Sequence, residues 1–341
     1  MPIGVLVVDD SAVVRGLIAR AIGADPAIRV VGSAGDGAAA VAMARSAAPD
    51  VVLLDVEMPV MDGLKALPEI LAARPGVAVI MASARTQRHA SLSLSALRLG
   101  AADYVPKPEA GNDNLPAFFD ELIAKIKAHA PKPAPAPAPP LPQAPVWRFA
   151  PKAVAIGAST GGPPALLKVF AKARGGIKTP VFVTQHMPAT FTAILAEQLG
   201  QVSGARSFEA REGMRVEEGC IYVAPGGKHL IAARDGAGVS LSLSDGPPEN
   251  FCKPAVDPML RSLAKAYGAG LVVGILTGMG RDGADGCVAV ADAGGRFFVQ
   301  DEASSVVWGM PGAAFKTGRA MGQLSLDAAT GYLASQMRGG R

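Results

Sequence analysis

One stretch, APKPAPAPAPPLPQAP at residues 130–145, limits what this chain can fold into more than any other part of the sequence. Alternating proline and alanine residues cannot form a packed core, because proline interrupts helices and interior strands. Such a stretch favours extended polyproline geometry and acts as a semi-rigid spacer. The sequence therefore predicts two domains, at residues 1–129 and 148–341, joined by a linker at residues 130–147.

Length and composition agree with two globular domains. The chain has 341 residues, of which 50% are hydrophobic, so each domain can bury a core of its own. No apolar run reaches the ~20 residues that a membrane-spanning helix needs. The N-terminus, MPIGVLVVDD, lacks the basic flank and the small-residue cleavage site of a signal peptide. We therefore expect no membrane insertion.

The cysteine content and the charge indicate the compartment of the protein and the kind of partner it binds. Cys220, Cys252 and Cys287 are odd in number and lack metal-type spacing, which is typical of reduced thiols in a cytoplasmic protein. The net charge is +4 and the pI is near 9.0. There is no block of Lys and Arg with interleaved aromatics and no helix-turn-helix pattern. We expect no nucleic-acid partner.

Each half of the chain has its own pattern of strands and helices. In the first half, five short apolar runs alternate with helical segments, which predicts an α/β fold with a doubly wound, five-stranded parallel sheet. In the second half, the same alternation begins with AVAIG and ends with GADGCVAVADAGG. A β excursion interrupts it, with a hairpin turn predicted at Asp235-Gly236. The second domain is therefore predicted to be α/β, with a mostly parallel sheet and an antiparallel insertion.

Polar side chains follow four strands of the predicted first sheet. Asp9 and Asp10 follow the first strand, Asp55 follows the third, Ser83 ends the fourth, and Lys107 follows the fifth. Open α/β sheets place their sites at this edge. Three neighbouring carboxylates repel one another unless a cation lies among them, and their hard oxygen atoms suit Mg²⁺. A carboxylate beside Mg²⁺ can accept a phosphoryl group. The alternative for any one of these acids is a solvated residue that caps the following helix.

The motifs VVDDS, LLDVEMPVMDG, MASA and YVPKP resemble those of response-regulator receiver domains, over nearly all of the predicted first domain. The resemblance implies that Asp55 accepts phosphate from a sensor histidine kinase. It implies a Mg²⁺ site formed by Asp10, Asp55 and the backbone carbonyl of Glu57, with Asp9 close by. It also implies three switch residues, Ser83, Tyr104 and Lys107. A plain buried aromatic remains the alternative for the tyrosine.

The segment VAIGASTGG at residues 154–162 places a serine in a glycine-rich turn after a strand. A phosphate-binding loop would need lysine where Pro163 stands, and a dinucleotide fingerprint would need its second glycine where Ser159 stands. What remains is G-x-S-x-G, from Gly157 to Gly161, which can expose a serine hydroxyl on a strand-to-helix turn. A glycine-rich loop with an incidental serine is the alternative.

A nucleophilic serine needs a base, and the base needs an orienting group. Of the four histidines, His186 and His229 lie in the second domain. His186 follows the run VFVT, at the end of a strand predicted beside that of the serine, so we expect it to be the base. The acid candidate is Asp282, in GILTGMGRDGADG after an apolar strand. The alternatives are a structural histidine and an aspartate that caps a helix.

The order Ser, His, Asp along the chain differs from that of α/β-hydrolases. The motifs STGG, QHM, YVAPGGKH, VDPML and LTGMGRDG instead resemble the catalytic domain of chemotaxis protein-glutamate methylesterases (CheB type). The resemblance implies Ser159 as nucleophile, His186 as general base and then acid, and Asp282 as the orienting carboxylate. Backbone N–H groups near Met279 would stabilise the oxyanion, with Thr160 as a hydrogen-bonding neighbour.

The same resemblance implies the reaction. The substrates are γ-glutamyl methyl esters, and glutamines, on the cytoplasmic domain of a chemoreceptor, with no cofactor for hydrolysis. A further expectation is that the unphosphorylated receiver restricts access to the serine. Two alternatives stay open: a phospho-regulated binding module, and a hydrolase of another ester or amide.

Overall fold

The computed structural model describes residues 1–84, 86–108, 115–131 and 150–340. The chain divides into two compact units, Met1–Ala134 and Pro135–Arg341. Positions 132–147 of the predicted linker lie outside the described residues. The predicted domain bounds therefore stay predictions.

The sheet of the first unit consists of β1 (Ile3–Val8), β2 (Ile28–Ala34), β3 (Val51–Asp55), β4 (Ala78–Ser83) and β5 (Asp103–Pro106). Its strands pair in parallel in the order β2-β1-β3-β4-β5. The helices are α1 (Ala12–Gly23), α2 (Gly37–Ala47), α3 (Gly63–Ala73), α4 (Gln87–Arg98) and α5 (Leu115–His129). Every residue of β3, and all but one of β1, is buried, as expected for strands covered on both faces.

Short polar residues fix where several of these helices begin. Ser11, Asp36, Asp62 and Thr86 each accept a hydrogen bond from a backbone N–H in the first turn of the following helix. Such caps satisfy donors that the helix itself leaves unpaired. The caps fix where the loops after β1 and β3 end. Asp9 follows β1 and Asp55 is the last residue of β3, so both lie at the carboxyl edge of the sheet.

The second unit contains the strands β6 (Ala153–Ala158), β7 (Val181–Gln185), β8 (Arg206–Glu209), β9 (Cys220–Val223), β10 (His229–Asp235), β11 (Gly238–Ser244), β12 (Leu271–Ile275), β13 (Arg296–Gln300) and β14 (Gln323–Leu324). Seven of them form a parallel sheet in the order β14-β13-β12-β6-β7-β9-β8. The helices are α6 (Gly162–Lys172), α7 (Ala189–Ser203), α8 (Val256–Tyr267), α9 (Ala284–Asp292), α10 (Gly309–Lys316) and α11 (Leu326–Met337).

The strands β10 and β11 form a separate antiparallel pair, in which Asp235 is opposite Gly238. The turn therefore lies at the predicted Asp235-Gly236 position. Both predicted fold classes are confirmed: a five-stranded parallel sheet, and a mostly parallel sheet with an antiparallel insertion. Within the described residues, no helix is both long and apolar enough to cross a membrane.

The core of the second unit joins the hairpin to the main sheet. Phe182 on β7 stacks on Tyr222 of β9, with ring centroids 5.6 Å apart. Leu230 and Leu241 of the hairpin, and Met259 of α8, belong to the same buried cluster. This packing holds α8 against both the hairpin and the main sheet. Because β6 lies between β12 and β7, the carboxyl ends of these three strands adjoin one another, where open α/β sheets place their sites.

Candidate functional site

Ser159 lies between the last residue of β6 and the first residue of α6. Its backbone N–H donates to the Thr277 carbonyl at 3.0 Å. Its own carbonyl accepts from Gly162 N–H at 2.7 Å and from Gln185 Nε2 at 2.9 Å. The serine backbone is thus held by three hydrogen bonds, from the turn itself and from the two neighbouring strand ends, and the side chain is half-buried.

Glycine is required around this serine because other chain segments approach closely. Gly161 has a φ of +74°, and a Cβ there would lie 2.5 Å from Val306 Cγ2. A Cβ on Gly278, in the loop after β12, would lie 2.8 Å from Ser159 Cβ. A contact that short does not occur, so both positions exclude larger residues. These constraints account for part of the G-x-S-x-G pattern.

His186 follows β7 directly, and its backbone N–H donates to the Ala158 carbonyl at 3.1 Å. The imidazole Nε2 lies 2.7 Å from Asp282 Oδ2, and Nδ1 lies 3.3 Å from Cys252 Sγ. Burial alone would lower the pKa of His186, but the hydrogen bonds with Asp282 and Cys252 outweigh it and raise the pKa to about 9.

Asp282 is buried and accepts five hydrogen bonds. The donors are His186 Nε2 (2.7 Å), Val256 N–H (2.6 Å), Asp257 N–H (3.1 Å), Gly283 N–H (2.9 Å) and Asn250 Nδ2 (3.3 Å). Burial alone would raise the pKa of this carboxyl, but the bond with His186 and the backbone donors hold it below its usual value. Two donors belong to the first turn of α8, so Asp282 bonds the start of that helix. The first turn of α9, the helix that follows Asp282 in the chain, begins after Gly283 without a side-chain cap.

Four residues at this site were given no individual role from the sequence, although residues 251–257 were expected to line the approach to the serine: Gln185, Asn250, Cys252 and Asp257. Asn250 Nδ2 bridges the carboxylates of Asp257 (2.9 Å) and Asp282 (3.3 Å). Asp257 Oδ1 also accepts from Gly286 N–H at 2.6 Å. Burial raises the pKa of Asp257 to about 6, and the neighbouring Asp282 charge adds to this. The segment NFCKPAVD was the available signal, but its path to Asp282 cannot be read from the sequence.

Among the residues that the structure describes, the Ser159 hydroxyl has no hydrogen-bond partner. Both imidazole nitrogens of His186 are engaged, by Asp282 and by Cys252. The backbone N–H groups of Thr160 and Met279 likewise have no acceptor within the described part of the chain. Both groups lie beside the serine, since Thr160 follows it and Met279 follows Gly278. They are available to bind an anionic oxygen.

His229, the other candidate base, is buried in a structural role. Its Nε2 lies 3.0 Å from the Pro247 carbonyl, and its Nδ1 accepts from Ala255 N–H at 3.1 Å. Both nitrogens are therefore used to fix the chain between the hairpin and α8. The geometry favours His186 as the base.

The second cluster lies in the first unit. Asp9, Asp10 and Asp55 bring one carboxylate oxygen each to within 4.8 Å of one another. Lys107 Nζ lies 2.6 Å from Asp9 Oδ2 and 2.8 Å from Asp55 Oδ1. Burial raises the pKa of Asp55, against the effect of Lys107. Three converging carboxylates form a hard-oxygen donor set that fits Mg²⁺.

The other predicted residues of the first unit surround this cluster. The Glu57 carboxylate pairs with Arg88 at 3.0 Å and with His89 at 3.2 Å, so the side chain is engaged with these two residues while its backbone carbonyl is the predicted ligand. Ser83 is buried and accepts from Ser93 Oγ at 2.6 Å. Tyr104 is also buried, with Lys125 Nζ 4.9 Å from its ring centroid. The tyrosine ring therefore lies in the core in this structure.

Comparisons with known proteins agree with both units. The family model described as CheB methylesterase matches residues 154–333, and the one described as response regulator receiver domain matches residues 5–118. A protein-glutamate methylesterase/protein-glutamine glutaminase of Azospirillum brasilense is 47% identical over 348 residues, covering 93% of this chain and 88% of that protein. A protein of the same description from Paramagnetospirillum magneticum is 46% identical, covering 93% of this chain and 91% of that protein.

The fold comparison points the same way. The crystal structure of the Thermotoga maritima CheB methylesterase catalytic domain superposes with a TM-score of 0.52 and 35% sequence identity, covering 55% of this chain and 99% of that one. Sequence relatives and the solved structure thus agree on the second unit. This chain belongs to the CheB methylesterase family, with a response regulator receiver domain ahead of the catalytic domain.

Proposed function

We propose that this chain is a protein-glutamate methylesterase and protein-glutamine glutaminase whose activity is controlled by phosphorylation of its receiver domain. The observation that carries the proposal is the 2.7 Å bond from His186 to the buried Asp282, at the strand end next to Ser159. A base oriented by a carboxylate beside the turn that carries a serine hydroxyl is the arrangement that acyl transfer requires. The curated relatives carry the corresponding names.

In the proposed reaction, Ser159 Oγ attacks the carbonyl of a γ-glutamyl methyl ester while His186 takes the hydroxyl proton. His186 then gives that proton to the leaving methoxide, so that methanol departs and an acyl-enzyme remains. Water, deprotonated by His186, releases free glutamate and restores the serine. With glutamine as substrate, ammonia leaves in place of methanol. Asp282 stabilises the charged imidazole throughout.

The tetrahedral intermediate carries a negative oxygen that needs donors. The N–H groups of Met279 and Thr160, which have no acceptor among the described residues, are the candidates, since both adjoin Ser159. One such donor contributes roughly 3 kcal/mol to transition-state stabilisation.

In the receiver, we assign Asp55 as the phosphoryl acceptor, with a sensor histidine kinase of the chemotaxis pathway as the donor. Asp9, Asp10, Asp55 and the backbone carbonyl of Glu57 would hold Mg²⁺. When bound, the ion would neutralise these carboxylates and the phosphoryl oxygens. Lys107, already bonded to Asp9 and Asp55, would pair with the added charge. Ser83 and Tyr104 are assigned as the residues that respond to phosphorylation.

The substrate is the cytoplasmic domain of a chemoreceptor, which places the reaction in the cytoplasm. Three free cysteines agree with a reducing compartment. Phosphorylation of Asp55 adds about two negative charges and is proposed to favour the state in which Ser159 is accessible.

The deciding experiment measures methanol release from a methylated receptor fragment, next to small generic esters. Wild type should release methanol from the receptor fragment far faster than from the small esters, and Ser159→Ala should abolish release. A hydrolase of other esters would prefer the small esters. A binding module would bind the fragment equally well with or without the serine hydroxyl and would release no methanol.

A further inference from the structure

Cys252 is placed against the proposed base by a segment of unusual backbone geometry. Asn250 and Phe251 have φ values of +49° and +64°, which non-glycine residues adopt only at a cost. The hydrogen bonds from Asn250 to Asp257 and Asp282 hold the segment in this shape. The next side chain, Cys252, points its Sγ to 3.3 Å from His186 Nδ1.

This contact uses the nitrogen that catalysis needs. Asp282 holds Nε2 at 2.7 Å, so Nδ1 is the nitrogen left to receive the serine proton. In this structure Nδ1 faces the Cys252 sulfur instead, and no described residue bonds the Ser159 hydroxyl. A thiol can donate to a neutral imidazole, and a thiolate can accept from a charged one. Either form engages the nitrogen that the serine hydroxyl must reach.

We propose that Cys252 is a positioning residue that competes with the Ser159 hydroxyl for His186 Nδ1 and holds the resting imidazole out of the proton-transfer path. The inference rests on the proposed function, because it concerns the same base. Cys252 would thus set the fraction of enzyme molecules in which His186 Nδ1 can accept the serine proton.

The charges around the imidazole support this role. Asp282, from the loop after β12, and Cys252, from the loop before α8, both contact the ring and favour its protonated form. Asp257 lies behind Asp282, and Arg261, paired with Glu249, interacts with both carboxylates from α8. Removal of the sulfur leaves Asp282 as the remaining contact that raises the pKa of His186. The ring then loses its proton at lower pH, and Nδ1 is free for the serine.

The first test needs no turnover. The four histidine rings of the full chain are titrated by NMR in wild type, Cys252→Ala and Cys252→Ser, with Cys220→Ala on β9 as a control that removes a different thiol. We expect the pKa of His186 to fall by about one unit or more in Cys252→Ala. We expect a smaller fall in Cys252→Ser, whose hydroxyl can still bond the ring, and no change in Cys220→Ala. Unchanged titration of the other three rings shows that the fold is intact.

The second test follows methanol release against pH in the same variants. A fall of one unit from about 9 increases the neutral imidazole at pH 7 about tenfold, so kcat/KM of Cys252→Ala at pH 7 should rise by about that factor. An unchanged His186 titration in both Cys252 variants overturns the proposal. A lower pKa accompanied by a slower reaction also overturns it, because the thiol would then assist the base. If no variant, wild type included, releases methanol, the proposed function fails while the titration still reports on Cys252.

Discussion

At the scale of single residues, the fold holds the Asp282 carboxylate in its charged form by hydrogen bonds that are present before a substrate binds. Its five donors come from four places: the His186 ring after β7, the turn before α9, the first turn of α8 and the Asn250 side chain. Because three of these donors are backbone N–H groups, the carboxylate does not need to reorganise when His186 becomes charged. The carboxylate thus sets the imidazole orientation and also ties α8 to the loop after β12.

The substitution Asp282→Asn tests this arrangement. An amide NH₂ would face the N–H donors that now bond the carboxylate, and it could not stabilise a charged imidazole. We expect kcat for methanol release to fall by roughly 10³- to 10⁴-fold. Asp285→Asn is the matched control, since Asp285 is exposed and pairs with Arg281 on the surface. A loss smaller than tenfold in a folded Asp282→Asn protein would contradict the assigned role.

The contribution of Asp257 to the free energy of unfolding is expected to decrease as the pH rises. Burial raises its pKa in the folded chain from 3.8 to about 6, so the folded state holds this proton more tightly than the unfolded state. The stabilisation is complete below about pH 3.8 and is lost as the pH rises to about 6 and beyond. We expect the unfolding free energy of wild type, minus that of Asp257→Asn, to decrease between these values and to level off above them. Urea unfolding at a series of pH values measures the difference, and a flat difference would refute the assignment.

At the scale of elements, the turn from β6 to α6 shows why glycine is needed at particular positions. Gly161 and Gly175 both have left-handed backbones, with φ values of +74° and +68°. A Cβ on Gly161 would meet Val306 and Thr277, whereas one on Gly175 would meet nothing within 4 Å. The two positions therefore share a left-handed backbone and differ in the space available for a side chain.

This pair makes a controlled prediction. Gly175→Ala should cost only the strain of a left-handed alanine, roughly 1–2 kcal/mol. Gly161→Ala should cost clearly more and should also lower methanol release, because relief of the clash displaces Ser159. Urea unfolding and turnover of both variants check this. Equal costs, with full activity in Gly161→Ala, would show that the turn is not constrained as described.

The elements also show how far the sequence could predict this protein. Buried parallel strands appear as continuous apolar runs, so their existence and the edge at which Ser159, His186 and Asp282 lie were predictable. The contact of Cys252 with His186 was not, because it depends on left-handed Asn250 and Phe251, neither of which is a glycine. Contacts between residues 66 positions apart through such a loop have no local sequence pattern.

At the scale of the whole molecule, the proposed regulation links a carboxylate cluster in one unit to a serine in the other. The stimulation that a phosphoryl group on Asp55 can produce is limited by the fraction of unphosphorylated molecules in which Ser159 is already accessible. If the competent state is 1% populated, the greatest possible stimulation is about 100-fold. The size of the stimulation therefore measures the resting population.

The prediction is that a small acyl phosphate with Mg²⁺ accelerates methanol release by the full-length chain. Asp55→Asn should keep the unstimulated rate and lose the stimulation, because it removes the acceptor and leaves the catalytic residues unchanged. Lys107→Ala should be phosphorylated, but its methanol release should increase only weakly. The reason is that the lysine ammonium group, which contacts both Asp9 and Asp55, is absent. Methanol release and phosphate incorporation are measured together, so that a failure to phosphorylate is distinguished from a failure to respond. Equal stimulation of wild type and Asp55→Asn would mean that the phosphodonor acts elsewhere, and phosphorylated wild type with an unchanged rate would mean that the two units are not coupled.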